Sequence, residues 1–142
     1  TPNLFELGWL NGLADAADMG EAAQQARQLG APIVLATSVP GMMGGNIANM
    51  LVCGAQTFAA EHRFVASAPN GTGDLMAALF LAQTLRGARP DQALGTASAC
   101  VFALVNRAAR HGDPDFQLAR DQELVRQQAG MPVRTIVTTK PG

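Results

Sequence analysis

An α/β fold built on a parallel sheet is what this sequence predicts, and three stretches carry the prediction. Pro32 introduces Ile33-Val34-Leu35-Ala36, a continuous apolar run of strand length; a strand apolar on both faces and preceded by a helix points to a parallel sheet covered on both sides. Asn70-Gly71-Thr72-Gly73-Asp74 opens straight into the apolar segment from Leu75 to Ala82, as a glycine turn feeding a helix does. Between them, Asn46 to Val52, Gln56 to Ala60 and Arg63 to Ala66 read as short strands separated by Cys53-Gly54-Ala55 and Glu61-His62. That pattern is a meander with tight turns, antiparallel and at a sheet edge.

In chain order, Asn3 to Asn11 is a short helix stopped by Gly12. Asn3 and Glu6 stand three apart at its start, which admits two readings. Asn3 can cap the helix while Glu6 reaches back to the cap's own N–H. Alternatively, Glu6 faces a cleft and holds a metal-bound water, as magnesium sites with few protein ligands do. Trp9, the only tryptophan, reads as a packing residue. Asp18 to Glu21 repeats the capping-box spacing, and Glu21 to Leu29 is a weakly amphipathic helix closed by Gly30. Thr37 and Ser38 fall at the carboxyl end of the strand that begins at Ile33, where open α/β sheets bind ligands; the plainer reading is that they end the strand and hydrogen-bond locally.

Gly41-Met42-Met43-Gly44-Gly45 is a loop too irregular for a phosphate fingerprint. His62 in its turn reads as a solvated loop residue, and His111 near a helix end as easing that end's dipole. Thr72 to about Arg86 is apolar nearly all round, with Ala77, Ala78 and Ala82 permitting close neighbours, so a central buried helix is expected. Pro90 and Asp91 open a second long helix to Arg110, whose Leu94, Ala97, Val101, Leu104 and Val105 form a core stripe. Gly112-Asp113-Pro114 breaks it. Phe116 to Gln128 is expected to be helical at least in its second half, and Val133 to Thr138 to be a final strand.

At 142 residues the chain has a one-domain length and can bury a core. It begins at Thr1 with a motif already under way, so a chain cut from a longer one is expected. The net charge of −1, with acids and bases scattered, offers no basic patch for nucleic acid and no polybasic run for a membrane surface. No apolar run approaches the ~20 residues that cross a bilayer. Cys53 and Cys100 stand alone, without the spacing of a metal site or a disulfide framework. Free thiols in a reducing cytosol, a soluble cytoplasmic protein and a small-molecule partner are the expectations.

The glycine turn carries the clearest chemistry. Gly71 and Gly73 let the backbone adopt dihedrals closed to other residues and leave no Cβ between its N–H groups and a ligand. Helix-start N–H groups lack partners inside the helix and sit at its positive end, so a phosphate fits there. Asp74 is the odd member, because a carboxylate beside a phosphate repels it unless its task is to take a proton. As a bare first-turn acid it is also tolerable without a task.

Together Thr1-Pro2-Asn3-Leu4-Phe5-Glu6-Leu7, then Val34-Leu35-Ala36-Thr37-Ser38, then Gly71-Thr72-Gly73-Asp74-Leu75 before an alanine-rich helix resemble the C-terminal half of the ribokinase-like superfamily, and within it the pyridoxal kinases. The resemblance runs from Thr1 to about Val137. It implies a three-layer α/β/α fold with a mainly parallel central sheet, residues 1–142 being the nucleotide-binding and catalytic C-terminal half and the N-terminal half being absent. It implies ATP-dependent phosphorylation of the 5′-hydroxymethyl group of pyridoxal and related B6 vitamers. Asp74 would be the general base and a substrate contact, and Gly71, Thr72 and Gly73 the anion hole. Thr1, Asn3, Glu6, Thr37, Ser38, Thr72 and Gly73 would bind nucleotide, with Glu6 supporting the metal through water. Mg2+ with ATP, a monovalent cation and a homodimer come with the same resemblance. Hydroxymethylpyrimidine kinases share the Thr-Pro-Asn opening but commonly carry Cys at the Asp74 position, and sugar kinases more often have Ala at Thr72. Those kinases, and a catalytically inactive nucleotide-binding fragment, are the alternatives.

Overall fold

The computed structural model describes residues 1–126 and 129–137. These fall into two compact units, one holding Thr1–Arg63 and the chain from Val133, the other Phe64–Pro132. Among the described residues no helix is long and apolar enough to cross a membrane.

The first unit opens with α1 (Leu4–Asn11), which ends where Gly12 takes a left-handed φ of 66°. Glycine accepts that conformation without a Cβ clash, as the sequence led us to expect. In α2 (Met19–Gln28) Asp18 caps the start by accepting the Glu21 N–H. The capping box is not reciprocal, because the Glu21 carboxylate accepts instead from the N–H of Ala17 at 2.8 Å.

The sheet follows as β1 (Ile33–Pro40), β2 (Asn46–Cys53), β3 (Gln56–Arg63) and β4 (Arg134–Thr135), lying side by side in that order. Every named pair is antiparallel. A mainly parallel sheet is therefore not what these strands form, and connection length is the reason. The loop 41–45 and the turn Gly54-Ala55 reverse the chain at once, whereas parallel neighbours need a crossover of a dozen residues or more. One such crossover does exist, from Pro2-Asn3 through α1 and α2 to β1, and there a parallel bridge joins Asn3 to Thr37. The meander also differs in extent: β3 runs unbroken through Glu61 and His62 to Arg63, so neither lies in a turn and no separate strand starts at Arg63. The final strand is only Arg134–Thr135, and Thr138 lies outside the described residues.

Leu7, Ala22, Ala23 and Ala26 pack against Val34, Ala36, Met50, Val52 and Ala59 to form the core beneath one face of the sheet. Leu35, Leu51 and Phe58, cross-strand partners pointing the other way, are buried too, so β1 has both faces covered as its sequence implied. Arg27 ties α2 to the sheet by donating to Thr57 Oγ1 at 2.7 Å. Trp9 departs from its expected packing role and is 71% exposed.

In the second unit, α3 (Thr72–Leu85) packs on α4 (Pro90–His111). Only Met76 and Phe80 of α3 are buried, while Leu85 is 79% exposed. The helix is thus not buried all round, because α4 covers a single stripe of an otherwise uniformly apolar surface. The α4 core stripe is as expected, with Leu94, Ala97, Val101, Leu104 and Val105 all buried. Beyond Gly112, the buried Asp121 accepts from Arg107 at 3.1 Å and from Arg120 at 2.9 Å, and Arg120 also reaches Asp113. The Arg120 hydrogen bonds hold the Asp121 carboxyl below its ordinary range. Helix α5 (Gln122–Arg126) supplies the expected second-half helix, with Gln127 and Gln128 outside the described residues. Cys100 is buried and desolvation raises its thiol pKa, so it is a packing residue with little thiolate character.

The loop 41–45 is pinned by Glu61, whose Oε1 accepts the Met43 N–H at 2.9 Å and Asn46 Nδ2 at 3.0 Å. The Met43 N–H is the main reason its carboxyl lies below the ordinary value of 4.5. A depressed carboxyl stabilises the fold above its unfolded pKa and loses that contribution as pH falls through the folded value. Amide exchange in the loop should therefore accelerate in acid below about pH 4.5, once corrected for intrinsic rates, and Glu61→Gln should remove that acid step.

Candidate active site

Each unit assembles one group of the candidate residues. In the first unit Asn3 has three functions at once. Its side chain accepts the Glu6 N–H at 2.9 Å, its own N–H donates to Glu6 Oε2 at 2.9 Å, and its backbone bridges to Thr37. Thr37 completes the join by donating its N–H to the Pro2 carbonyl at 3.0 Å. The capping box is therefore real, and it holds the exposed Glu6 carboxylate by one oxygen at the seam between α1 and β1. Thr1 is exposed beside it.

Thr37 and Ser38 do not end their strand as expected, because β1 continues to Pro40. They sit in a register break between Ala36 and Val39, where Ser38 takes a left-handed φ of 59°. Among the described residues it is the one non-glycine with positive φ. The bulge turns the exposed Ser38 out of the regular pleat while Thr37 stays buried. Such strain costs about 1–2 kcal/mol and concentrates where a site needs a particular backbone shape. Ser38→Gly should remove that strain and, after about 0.5–1 kcal/mol of glycine entropy, leave the urea midpoint unchanged or slightly higher. A clear fall would mean that the hydroxyl, not the backbone, matters to the fold.

The second unit carries the glycine turn. Gly71 is the N-cap of α3 with φ 80°, and no side chain caps the helix. Thr72 Oγ1 donates to the Pro69 carbonyl at 2.7 Å, which braces the turn from behind. The Gly71 carbonyl accepts the Leu75 N–H at 2.9 Å, so helical bonding is already under way at the turn. No side chain caps the first-turn N–H groups, which helix geometry leaves without intrahelical partners. Gly71, Gly73 and Asp74 are exposed. The turn, the uncapped helix start and the first-turn carboxylate are thus as the sequence drew them. What the residues alone missed is the Ser38 bulge and the Glu61 pin; neither leaves a local signal, since the bulge is set by pairing with β2 and the pin by the loop 41–45 and Asn46.

Among the described residues, no three or more His, Cys, Asp or Glu side chains are grouped to hold a metal ion. Glu6 offers a single exposed carboxylate with one oxygen outside the cap bonds, which suits an ion that keeps most of its waters.

The β1 bulge in the first unit and the uncapped glycine turn in the second are each backbone features of a kind that suits phosphate binding. The phosphomethylpyrimidine kinase family model matches residues 1–118, and the chain belongs to that family. The pyridoxal kinase PdxY of Rubrobacter xylanophilus is 32% identical, over 96% of this chain and 49% of its own length. The crystal structure of pyridoxal kinase from Entamoeba histolytica superposes with a TM-score of 0.82 at 18% identity, over 95% of this chain and 50% of that one. The pyridoxal kinase from Staphylococcus aureus in complex with AMP-PCP and pyridoxal gives 0.72 at 23% identity, over 95% and 52%. The chain spans about half the length of the curated relatives it matches.

Proposed function

We propose that this span is the nucleotide-binding and phosphoryl-transfer half of an ATP-dependent pyridoxal kinase, within a three-layer domain whose parallel strands lie largely outside it. The observation that carries the reading is the uncapped start of α3, with Gly71 left-handed and Asp74 in the first turn. Backbone N–H groups of Gly71, Thr72 and Gly73 would hold the transferring phosphoryl group, and such fixed donors supply much of the stabilisation in phosphoryl transfer. Asp74 would take the proton of the 5′-hydroxymethyl group as its oxygen bonds to the γ-phosphorus and ADP leaves. Thr1, Asn3, Thr37 and Ser38 would contact the nucleotide. Glu6 would hold Mg2+ through water, and the metal would neutralise phosphate charge. The solved relative from S. aureus that binds both AMP-PCP and pyridoxal supports this choice of ligands. A monovalent cation, a homodimer and a cytoplasmic location are proposed on family grounds alone.

The test is transfer of labelled γ-phosphate from ATP, offering pyridoxal and hydroxymethylpyrimidine side by side to a protein carrying this span at the relatives' full length. Preference for pyridoxal is expected. Preference for the pyrimidine would support the second reading, which the name of the matching family favours and Asp74 opposes. The 142 residues alone are expected to turn over poorly, since positioning supplies a large share of the rate and the relatives use twice this length for it. Glu6→Gln keeps most of the capping geometry, so it should raise the Mg2+ concentration needed for half-maximal rate more than it lowers Tm. The opposite pattern would reduce Glu6 to a helix cap.

A further inference from the structure

We propose that Asn70 is a modification site, whose side-chain amide is lost by spontaneous deamidation in the folded protein and leaves a negative charge against the glycine turn that opens α3. Two asparagines, Asn11 and Asn70, stand directly before a glycine. That dipeptide favours attack of the glycine nitrogen on the asparagine side chain, because no Cβ on the following residue hinders the approach. The Gly71 nitrogen gives up its proton and bonds to Cγ of Asn70, and the Cγ–Nδ2 bond breaks as ammonia leaves with that proton. The cyclic imide then takes up one water. Opening at the Cγ carbonyl yields an aspartyl residue, and opening at the main-chain carbonyl yields an isoaspartyl residue, whose chain runs on through the side-chain carbon. Both products carry a negative charge that asparagine lacks, and water is the only other reactant.

The fold makes opposite cases of the two pairs. Asn11 closes α1, and its side-chain nitrogen donates to the Leu7 carbonyl at 2.9 Å and to the Gln25 carbonyl at 3.0 Å. The Gly12 N–H donates to the Trp9 carbonyl at 3.1 Å. Both reacting groups are held, so cyclisation at Asn11 must first open the end of the helix. Asn70, by contrast, is exposed in a turn. Gly71 is the N-cap of α3, ahead of the helical residues, so its N–H has no place in the helix ladder. The bonds that brace this turn, from Thr72 Oγ1 to the Pro69 carbonyl and from the Leu75 N–H to the Gly71 carbonyl, use neither the Asn70 side chain nor the Gly71 N–H. A charge at position 70 adjoins the N–H groups of Gly71, Thr72 and Gly73 and opposes any anion held there. The isoaspartyl form also lengthens the main chain by one carbon directly ahead of the left-handed Gly71. The effect on phosphoryl transfer rests on the function proposed above; the chemistry at Asn70 does not.

The test incubates the 142-residue chain at mildly alkaline pH, with and without guanidinium, and follows both dipeptides by peptide mapping with mass spectrometry. In the folded chain Asn70 should convert about tenfold or more faster than Asn11, which waits on local opening. Unfolded in guanidinium the two should converge, since sequence alone then governs. Equal rates in the folded chain, or an Asn70 that stays intact there while it converts in guanidinium, would overturn the proposal. The second arm uses a protein carrying this span at the relatives' full length. Asn70→Asp should weaken its ATP affinity by about tenfold or more. During the same incubation the wild type should lose affinity in step with deamidation, while Asn70→Gln keeps it. Unchanged affinity in Asn70→Asp would overturn the placing of that charge against the site. Mapping decides the modification by itself, so a failure of the proposed function shows separately, as a fresh wild type without ATP affinity.

Discussion

Asp74→Asn is expected, under the proposed function, to lower kcat of a protein carrying this span at the relatives' full length by about 10²–10⁴-fold, the usual worth of a general base, with little change in nucleotide affinity. The substitution keeps the size and the first-turn position of the side chain and removes only its ability to take a proton. Asp74 is exposed and lies in the first turn of α3, so its charge contributes to folding only through the helix dipole, about 0.3–1 kcal/mol. A large rate loss with an almost unchanged Tm is therefore the pattern that separates a base from a helix-start acid. A near-normal rate would leave Asp74 as an acid that merely suits a helix start.

A single added methyl at Gly8, inside α1, is expected to cost stability rather than add it. On helix propensity alone, Gly→Ala inside a helix stabilises by about 1 kcal/mol. Gly8 is buried, however, and a Cβ built there would lie 2.9 Å from the Ala14 carbonyl oxygen and 3.0 Å from that of Leu13. Those are backbone atoms of the turn that doubles back over α1, held by the Leu13 N–H donating to the Gly8 carbonyl at 2.9 Å. Neither side can yield without moving a main chain, so Gly8→Ala should destabilise by about 1–3 kcal/mol, the range for overpacking. Chemical denaturation reads the sign directly. Gly12→Ala is a useful comparison, since nothing lies within 4 Å of a Cβ there and any cost must come from its φ of 66°.

What could be read from the sequence was what local chemistry decides. The Asn3–Glu6 pairing, the left-handed Gly12 and Gly71, the two-sided burial of β1 and the core stripe of α4 are each set by residues within a few positions of one another. The glycine turn was legible for the same reason. Strand direction was not, because an apolar run such as Ile33-Val34-Leu35-Ala36 looks alike beside a parallel or an antiparallel neighbour, and the choice falls to the loop that follows. Glu61 and His62 were mistaken for a turn because two polar residues ended an apolar run; their partners Ala48 and Ile47 lie on another strand and leave no local mark. Ser38 shows the same limit in a single residue, since its left-handed backbone answers to a register break with β2.

Asn3 joins a helix cap to a strand bridge, and that junction makes Glu6 a contested group. A hydrated cation that draws the carboxylate outward does so in competition with the Asn3 N–H. If the cap contact is worth about 1 kcal/mol, the ion is held roughly fivefold more loosely than by an uncommitted carboxylate. On the proposed role, in which Glu6 would release its ion with spent nucleotide, looseness of that size would favour throughput over retention. The cap itself gives the carboxylate a defined place, so under the same reading each departing ion would leave Glu6 where the next could be met.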